Sequence, residues 1–296
     1  MNGVSVIIPN YNYGRYLRQA VQSALDQSHR PREVIVVDDG STDDSKEILR
    51  SFGDSIRVVE QSNEGVAAAR NKGCEIATGE ILAFLDADDF WHTEKLEKQM
   101  RTFRSDPEIG FVHCGLTNVD ENGCLLDEYL LGEEGWVADE LLKFRPVAIA
   151  NTIIVKRELF TKIGGYDMNR DLHPSEDWDL CYRFSRECKL GFVREPLHYY
   201  RQHGRGGHTN IARMERAMLI AFGKAFLDPA NEIQRLRGEA YGNLYLVLAG
   251  SYYHSGHMGK SIVSGLKGLI HNPLTATKFF GFPFRLTKKM FQSRPD

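Results

Sequence analysis

The chain has no long apolar run: none of its 296 residues falls in a stretch of the roughly 18 consecutive apolar residues that a membrane-spanning helix needs. A soluble or at most peripheral protein is expected. Its first residues pass almost directly into Val4-Ser5-Val6-Ile7-Ile8, without the basic region, apolar stretch and cleavage site of a secretory leader, so export by that route is not expected. Cysteine is sparse and unpatterned. Cys74, Cys114, Cys124, Cys181 and Cys188 are odd in number and lack metal-ligand spacing, which argues against structural zinc and fits reduced thiols in the cytoplasm. Nor does one charge dominate. With 37 Lys and Arg against 40 Asp and Glu, a net charge of −3 and an isoelectric point near 6.4, there is no electrostatic case for nucleic acid as the main partner. Low-complexity tracts and convincing repeats are missing as well, although residues 241–270 read as a helical hairpin.

What is present is a clear alternation. At 42% hydrophobic and 26% charged, the chain can bury a catalytic core and carry an extension. Strands are predicted at 4–8, 33–37, 56–59, 81–85 and 110–113, with helices between them at 15–27, 45–52, 66–77 and 93–104; the last has Leu96, Met100 and Phe103 at core-facing spacing. This pattern argues for an α/β fold with a mostly parallel sheet flanked by helices, in which ligands bind outside the carboxyl ends of the strands.

Three of those ends are polar: Pro9-Asn10-Tyr11-Asn12, Asp38-Asp39-Gly40-Ser41 and Asp86-Ala87-Asp88-Asp89. Closely spaced carboxylates supply hard oxygen donors for Mg2+ or Mn2+ shared with a phosphorylated ligand; the alternative is an acidic turn capping the next helix. Asp39 also reads as a helix-capping acid, and Ser41 or Thr42 and Asp43 as caps of the next helix. Glu176, Asp177 and Asp179 open a later helix, where they either favour the positive end of its dipole or offer a carboxylate to a cleft. Between 116 and 200 the pattern loosens. Asp120-Glu121-Asn122-Gly123 reads as a turn, 139–144 as a short helix, 151–155 as a strand leading into helix 157–163, and 175–188 as a helix. Beyond Gly207, helices are predicted at 211–226, 232–254 and 259–270, dividing the chain into a catalytic domain at 1–207 and a helical extension at 208–296.

Taken in order, these segments resemble glycosyltransferase family 2. The residues that carry the resemblance run from Val4 to Asn12 and from Val36 to Asp43, then Asn63-Glu64-Gly65 with Ala69-Arg70-Asn71, Asp86-Ala87-Asp88-Asp89 and Glu176-Asp177-Trp178, covering roughly residues 3–204. The resemblance implies a GT-A fold and inverting transfer of a sugar from a nucleotide sugar, with UDP favoured and Mn2+ or Mg2+ as cofactor. It implies Asp88 as the principal metal ligand, with Asp86 at the ribose or metal and Ala87 in the same donor-binding loop. Asp39 resembles the acid that recognises the nucleotide base, Pro9, Tyr11 and Arg70 the residues lining the nucleotide pocket, and Asp177 the base that deprotonates the acceptor hydroxyl. His203, after Tyr200-Arg201-Gln202, resembles a late element that approaches the metal or diphosphate. His198 and His208 flank it without a zinc pattern.

The Gln-x-x-Arg-Trp element of processive members is absent, Arg183-Phe184-Ser185-Arg186 standing in that region, which favours addition of a single sugar. The acceptor is expected to be a glycan or lipid-linked glycan of a bacterial surface polysaccharide, with the enzyme in the cytoplasm. The aromatic and basic segment 278–291 suits peripheral contact with an anionic membrane, or packing on the helical extension. Three rival functions are a nucleotidyltransferase, a phospho-accepting signalling domain and a non-catalytic nucleotide-binding scaffold. The first lacks a glycine-rich basic loop after its first strand. The second leaves Asp177 unexplained, and the third sits poorly with the presence of both Asp88 and Asp177.

Overall fold

A computed structural model describes residues 3–147, 150–203 and 210–275. β1 (Val4–Asn10) is buried at every position, as a strand covered on both faces must be. Chain reversal through α1 (Gly14–Leu25) brings β2 (Glu33–Asp38) alongside in parallel, and α2 (Ser45–Arg50) does the same for β3 (Arg57–Glu60). α3 (Val66–Ile76) then returns the chain to the other side of β1, where β4 (Ile81–Phe84) pairs. In sheets of this kind such a reversal of direction, here at the carboxyl ends of β1 and β4, is where ligands bind. Small residues seat α3 on the sheet. A Cβ at Gly73 would lie 2.5 Å from Ile7 Cγ2.

The chain continues through β5 (Phe90–Trp91), α4 (Lys95–Ser105), β6 (Ile109–Val119), β7 (Leu125–Tyr129), α5 (Ala138–Leu142), β8 (Ile154–Lys156), α6 (Arg157–Lys162), α7 (Glu176–Ser185) and β9 (Lys189–Arg201). The sheet order is β3-β2-β1-β4-β8-β6-β9-β5, with β7 on β6. Its first half is parallel, whereas β8 runs antiparallel to both β4 and β6 and β5 antiparallel to β9, so the sheet is mixed. The strand predicted at 110–113 extends to Val119, because parallel pairing with β9 and antiparallel pairing with β7 satisfy its backbone along the way. The strand predicted at 151–155 starts only at Ile154. Residues 150–152 form a single 3₁₀ turn, held where Thr152 Oγ1 bonds the backbone of Cys114 at 3.1 Å in both directions.

Two compact units result, one of residues 1–138 with 146–209, the other of 139–145 with 210–296. The second contains α8 (Ile211–Ala225), α9 (Asn231–Gln234), α10 (Arg237–His254) and α11 (Met258–His271). The helix predicted at 232–254 is thus broken, by Arg235 and Leu236 between α9 and α10. Phe222 at the centre of this unit meets Phe144 and Tyr241 edge to face. The segment 278–291 and His208 lie outside the described residues.

One polar side chain in the first unit's core is unusual. Lys95 is fully buried, donates to Gln99 Oε1 at 2.8 Å and sits 4.2 Å above the Trp91 ring. Gln99 passes the network on to the carbonyls of Val112 and Thr152. Burial lowers the Lys95 pKa from 10.5 to about 8. The folded chain therefore binds fewer protons than the unfolded chain between pH 8 and 10.5, and stability rises with pH across that window. Relative to Lys95→Met, the wild type is expected to gain up to about 3 kcal/mol between pH 7 and pH 10.5. Urea midpoints of both proteins at three pH values measure this, and a pH-independent difference would contradict it.

Candidate active site

The loops after β1 and β2 are locked to each other. Asn10 Nδ2 donates to Asp38 Oδ1 at 2.9 Å and Ser41 Oγ at 3.0 Å, while Asn12, at φ 60°, accepts from the Thr42 amide at 2.8 Å. Asp43 Oδ2 accepts from Gly14 N and its Oδ1 from Ser45 N, so this acid does act as a cap. Asp39 is buried. Its Oδ1 accepts from Gln61 Nε2 and Glu64 N, and its Oδ2 from Gly65 N, all at 2.8 Å. A carboxylate has about four acceptor positions, which leaves room at Asp39 for one more donor. Gly65 at φ +95° makes the sharp entry into α3 that this clamp holds. Pro9 is buried on β1 opposite Val37, and Tyr11 stands 46% exposed on the loop.

The acid cluster after β4 separates into distinct roles. Asp89 is 1% exposed, with Oδ2 2.8 Å from His198 Nε2 and Oδ1 accepting from the Arg201 amide at 2.9 Å. Trp91 Nε1 donates to His198 Nδ1 at 3.1 Å. Because an indole N–H only donates, Nδ1 must accept, and the imidazole proton sits on Nε2, facing Asp89. Burial raises the Asp89 pKa, with Asp88 and Asp86 adding to it, and burial lowers that of His198. Arg201 completes the anchor. Its Nε donates to the Asp88 carbonyl at 2.8 Å and its Nη2 to Gln19 at 2.7 Å, with the guanidinium 4.6 Å from the Tyr16 ring.

Asp88 Oδ2 is left facing His203 Nε2 at 2.8 Å, the imidazole lying against the rings of Tyr13 and Tyr16. Burial, then the charges of Asp88 and Asp86, raise the Tyr13 pKa and keep its phenol protonated. Ala87 is buried between the acids. Among the described residues, no three His, Cys, Asp or Glu side chains converge as a metal cage. One carboxylate and one imidazole at contact distance nevertheless fit Mn2+ or Mg2+, which commonly take one or two protein ligands and complete their shell with water and substrate phosphate.

Asp86 turns instead to Arg70. This guanidinium is 4% exposed, with Nη2 donating to Asp86 Oδ1 at 2.7 Å and Nη1 to Asp177 Oδ1 at 2.9 Å; Glu176 Oε1 lies at 3.7 Å and the Tyr166 ring at 5.1 Å. Burial would lower the Arg70 pKa, but Asp177 and Asp86 outweigh it and the pKa rises. Asp177 moves the other way from an ordinary acid. Burial pushes it from 3.8 up to about 6, with Arg70 opposing and Glu176 and Asp86 reinforcing the rise. For Glu176 burial also acts upwards, yet the hydrogen bond from His173 and the charge of Arg70 hold its pKa below the usual value. Asn71 fixes the approach of the loop before α7, its amide exchanging hydrogen bonds at 2.9 Å with both the N–H and the carbonyl of Tyr166.

The structure thus joins Asp86, Arg70 and Asp177 in one chain of charges and sets Asp88 beside His203. Tyr11 and Asp39 lie on neighbouring strand ends, and among the described residues neither is hydrogen-bonded to Arg70 or Asp88. Sequence reasoning missed Tyr166, His173, Trp91 and the anchoring by Arg201, and it passed over His198. Only the pairing of Trp91 with His198 across β5 and β9 reveals that relay, and no sequence spacing encodes it.

The family profile for glycosyl transferase family 2 matches residues 5–124. An uncharacterized glycosyltransferase of Nostoc sp. is 34% identical over 221 residues, covering 71% of this chain and 67% of the relative. The chain belongs to glycosyltransferase family 2. A Bacillus subtilis protein named for teichuronic acid biosynthesis, glycosyltransferase TuaG, is 40% identical over 159 residues, or 52% of this chain and 62% of TuaG. The family match therefore spans about two thirds of the curated relatives' own length. Among solved structures, the mannosyltransferase PcManGT from Pyrobaculum calidifontis in complex with GDP-Man and Mn2+ aligns with TM-score 0.65 at 22% identity, over 97% of this chain and 81% of that one. S. aureus TarS 1-349 in complex with UDP aligns with TM-score 0.58 at 17% identity, over 90% of both chains. Their likeness shows the GT-A fold.

In this family 2 chain, Arg70→Met is expected to cost about 3 kcal/mol at pH 8, because it leaves Asp86 and Asp177 without their cation. The loss should narrow as pH falls through 6, where Asp177 takes up its proton in the folded protein. Denaturation midpoints at pH 8 and pH 5 check both statements.

Proposed function

We propose that the chain is an inverting glycosyltransferase that moves a single sugar from a nucleotide sugar, UDP-sugar first among candidates, to a hydroxyl of a glycan or lipid-linked glycan in bacterial surface polysaccharide synthesis. One observation carries the reading: a carboxylate with a pKa of about 6, Asp177, is tied through one buried arginine to the acid loop at the end of β4. The names of TuaG and of the UDP- and GDP-Man-bound neighbours support the substrate class. The reading places the enzyme at the cytoplasmic side of the membrane, where nucleotide sugars are made available.

Asp177 is ionised at neutral pH yet basic enough to accept a proton, the balance a general base needs. The acceptor oxygen attacks the anomeric carbon opposite the diphosphate, its proton passes to Asp177, and the carbon–oxygen bond to the diphosphate breaks with inversion. Arg70 holds Asp177 and Asp86 at fixed positions and keeps further N–H groups, Nε among them, to offer positive charge to the nucleotide diphosphate. Asp88 and His203 would hold Mn2+ or Mg2+, which supplies positive charge for the leaving diphosphate. The remaining acceptor position on Asp39 suits an N–H of the nucleotide base. A non-catalytic scaffold would have little use for the raised pKa of Asp177.

UDP with Mn2+ is expected to raise the melting temperature of the wild type, and Asp88→Ala to lose the metal-dependent part; equal stabilisation of both proteins would remove Asp88 from the metal site. Asp177→Asn should keep donor binding and lose about 10²-fold or more in transfer. In the wild type, kcat/KM should fall below about pH 6 as Asp177 is protonated. A flat acid limb down to pH 5 would assign the base elsewhere.

A further inference from the structure

Helix α11 inverts the usual arrangement of an amphipathic helix, in which large apolar residues face the neighbour and small or polar ones face water. Its buried positions are Ser261, Ser264, Gly265 and Gly268. A Cβ at Gly268 would lie 3.3 Å from the carbonyl oxygen of Gly242 in α10, and one at Gly238 would lie 2.9 Å from that of His271. Ser261 Oγ donates to the Ala249 carbonyl at 2.8 Å. Backbones this close leave no space for Ile or Leu between them. The large residues point outward, with Ile262 at 52% exposure, Leu266 at 56% and Ile270 at 80%, spaced i, i+4, i+8 along one stripe, and Leu274 at 79% just beyond the helix.

A continuous exposed stripe of this kind marks an interaction surface. The charge of the sequence that contains it indicates the partner. In a chain with 40 acids and 37 bases, residues 240–296 contain seven Lys or Arg and one acid, Asp296. The sequence after α11 also brings five phenylalanines between 279 and 291. Two copies joined through this face would set like charges against each other, whereas an anionic surface would neutralise them. No described helix is long and apolar enough to cross a bilayer, so α11, about 21 Å long, suits the interface plane.

We propose that α11 is a bilayer-docking helix, laying Ile262, Leu266 and Ile270 into the headgroup boundary of an anionic membrane while Lys260 and Lys267 of the same helix, and the basic sequence that follows it, supply positive charge for the lipid phosphates. The inference goes beyond the transferase reading and stands whether or not the chain transfers sugar. Co-sedimentation of the full chain with vesicles of phosphatidylcholine, alone or mixed with phosphatidylglycerol, tests it. Binding to the mixed vesicles is expected to be at least about tenfold stronger than to the neutral ones and to weaken with salt. Ile262→Gln/Leu266→Gln/Ile270→Gln should reduce it at least about tenfold with an unchanged melting temperature, the three side chains being exposed, and Leu266→Gln alone should give a smaller loss. Equal binding to both vesicle types, or undiminished binding by the triple variant, would overturn the proposal. So would a wild-type dimer in solution that the triple variant dissociates, which would assign the face to a second copy.

Discussion

The geometry of the site depends on one buried cation. Arg70 reaches from α3 to Asp86 in the loop after β4 and to Asp177 at the start of α7, three segments far apart in sequence. Desolvating a guanidinium is costly, and only its carboxylate partners offset that cost. The same bargain acts on the acids. Asp86 and Asp177 stay close enough to perturb each other because Arg70 lies between them, and the residual imbalance appears as the raised pKa of Asp177. Spacing and orientation of these groups therefore follow from a single side chain, while burial sets the direction in which Asp177 titrates.

A second anchor holds the rest of the acid loop. Trp91 fixes the tautomer of His198, His198 donates to Asp89, and Arg201 ties the Asp88 carbonyl from the other side. Asp89 is thereby committed to structure. Asp88, one residue earlier, turns its carboxylate to His203 instead. Three neighbouring acids thus end in three environments: one paired with arginine, one beside an imidazole, one buried against a histidine. Electrostatic repulsion among them is spread over partners that come from different strands and helices.

Much of this architecture was legible in the chain. The parallel strands and helices up to α4 follow from alternation of short apolar runs with helical spacing, since a strand covered on both faces has no choice but to be apolar throughout. Asp88 and Asp177 were singled out by an ordered set of motifs. The second half of the sheet was less readable. β6 extends past its apolar centre because β7 and β9 satisfy its backbone, and β8 starts late because Thr152 turns back to Cys114; both are long-range pairings without a local signal. That Arg70 pairs with Asp86 and Asp177 is a matter of nearness that cannot be inferred from spacings of 16 and 107 residues.

By itself the sequence determined the residue types at each strand end, the run of β1 through the core, the glycines that permit sharp entries, and the excess of positive charge in residues 240–296. Those are local properties, set by side-chain chemistry and backbone freedom. Tertiary structure alone decided which acid meets which cation, that His198 and Trp91 form a relay, and that α11 turns its small residues inward and its large ones outward. Ionisation and exposure depend on distance and solvent access, and both exist only once distant segments have packed.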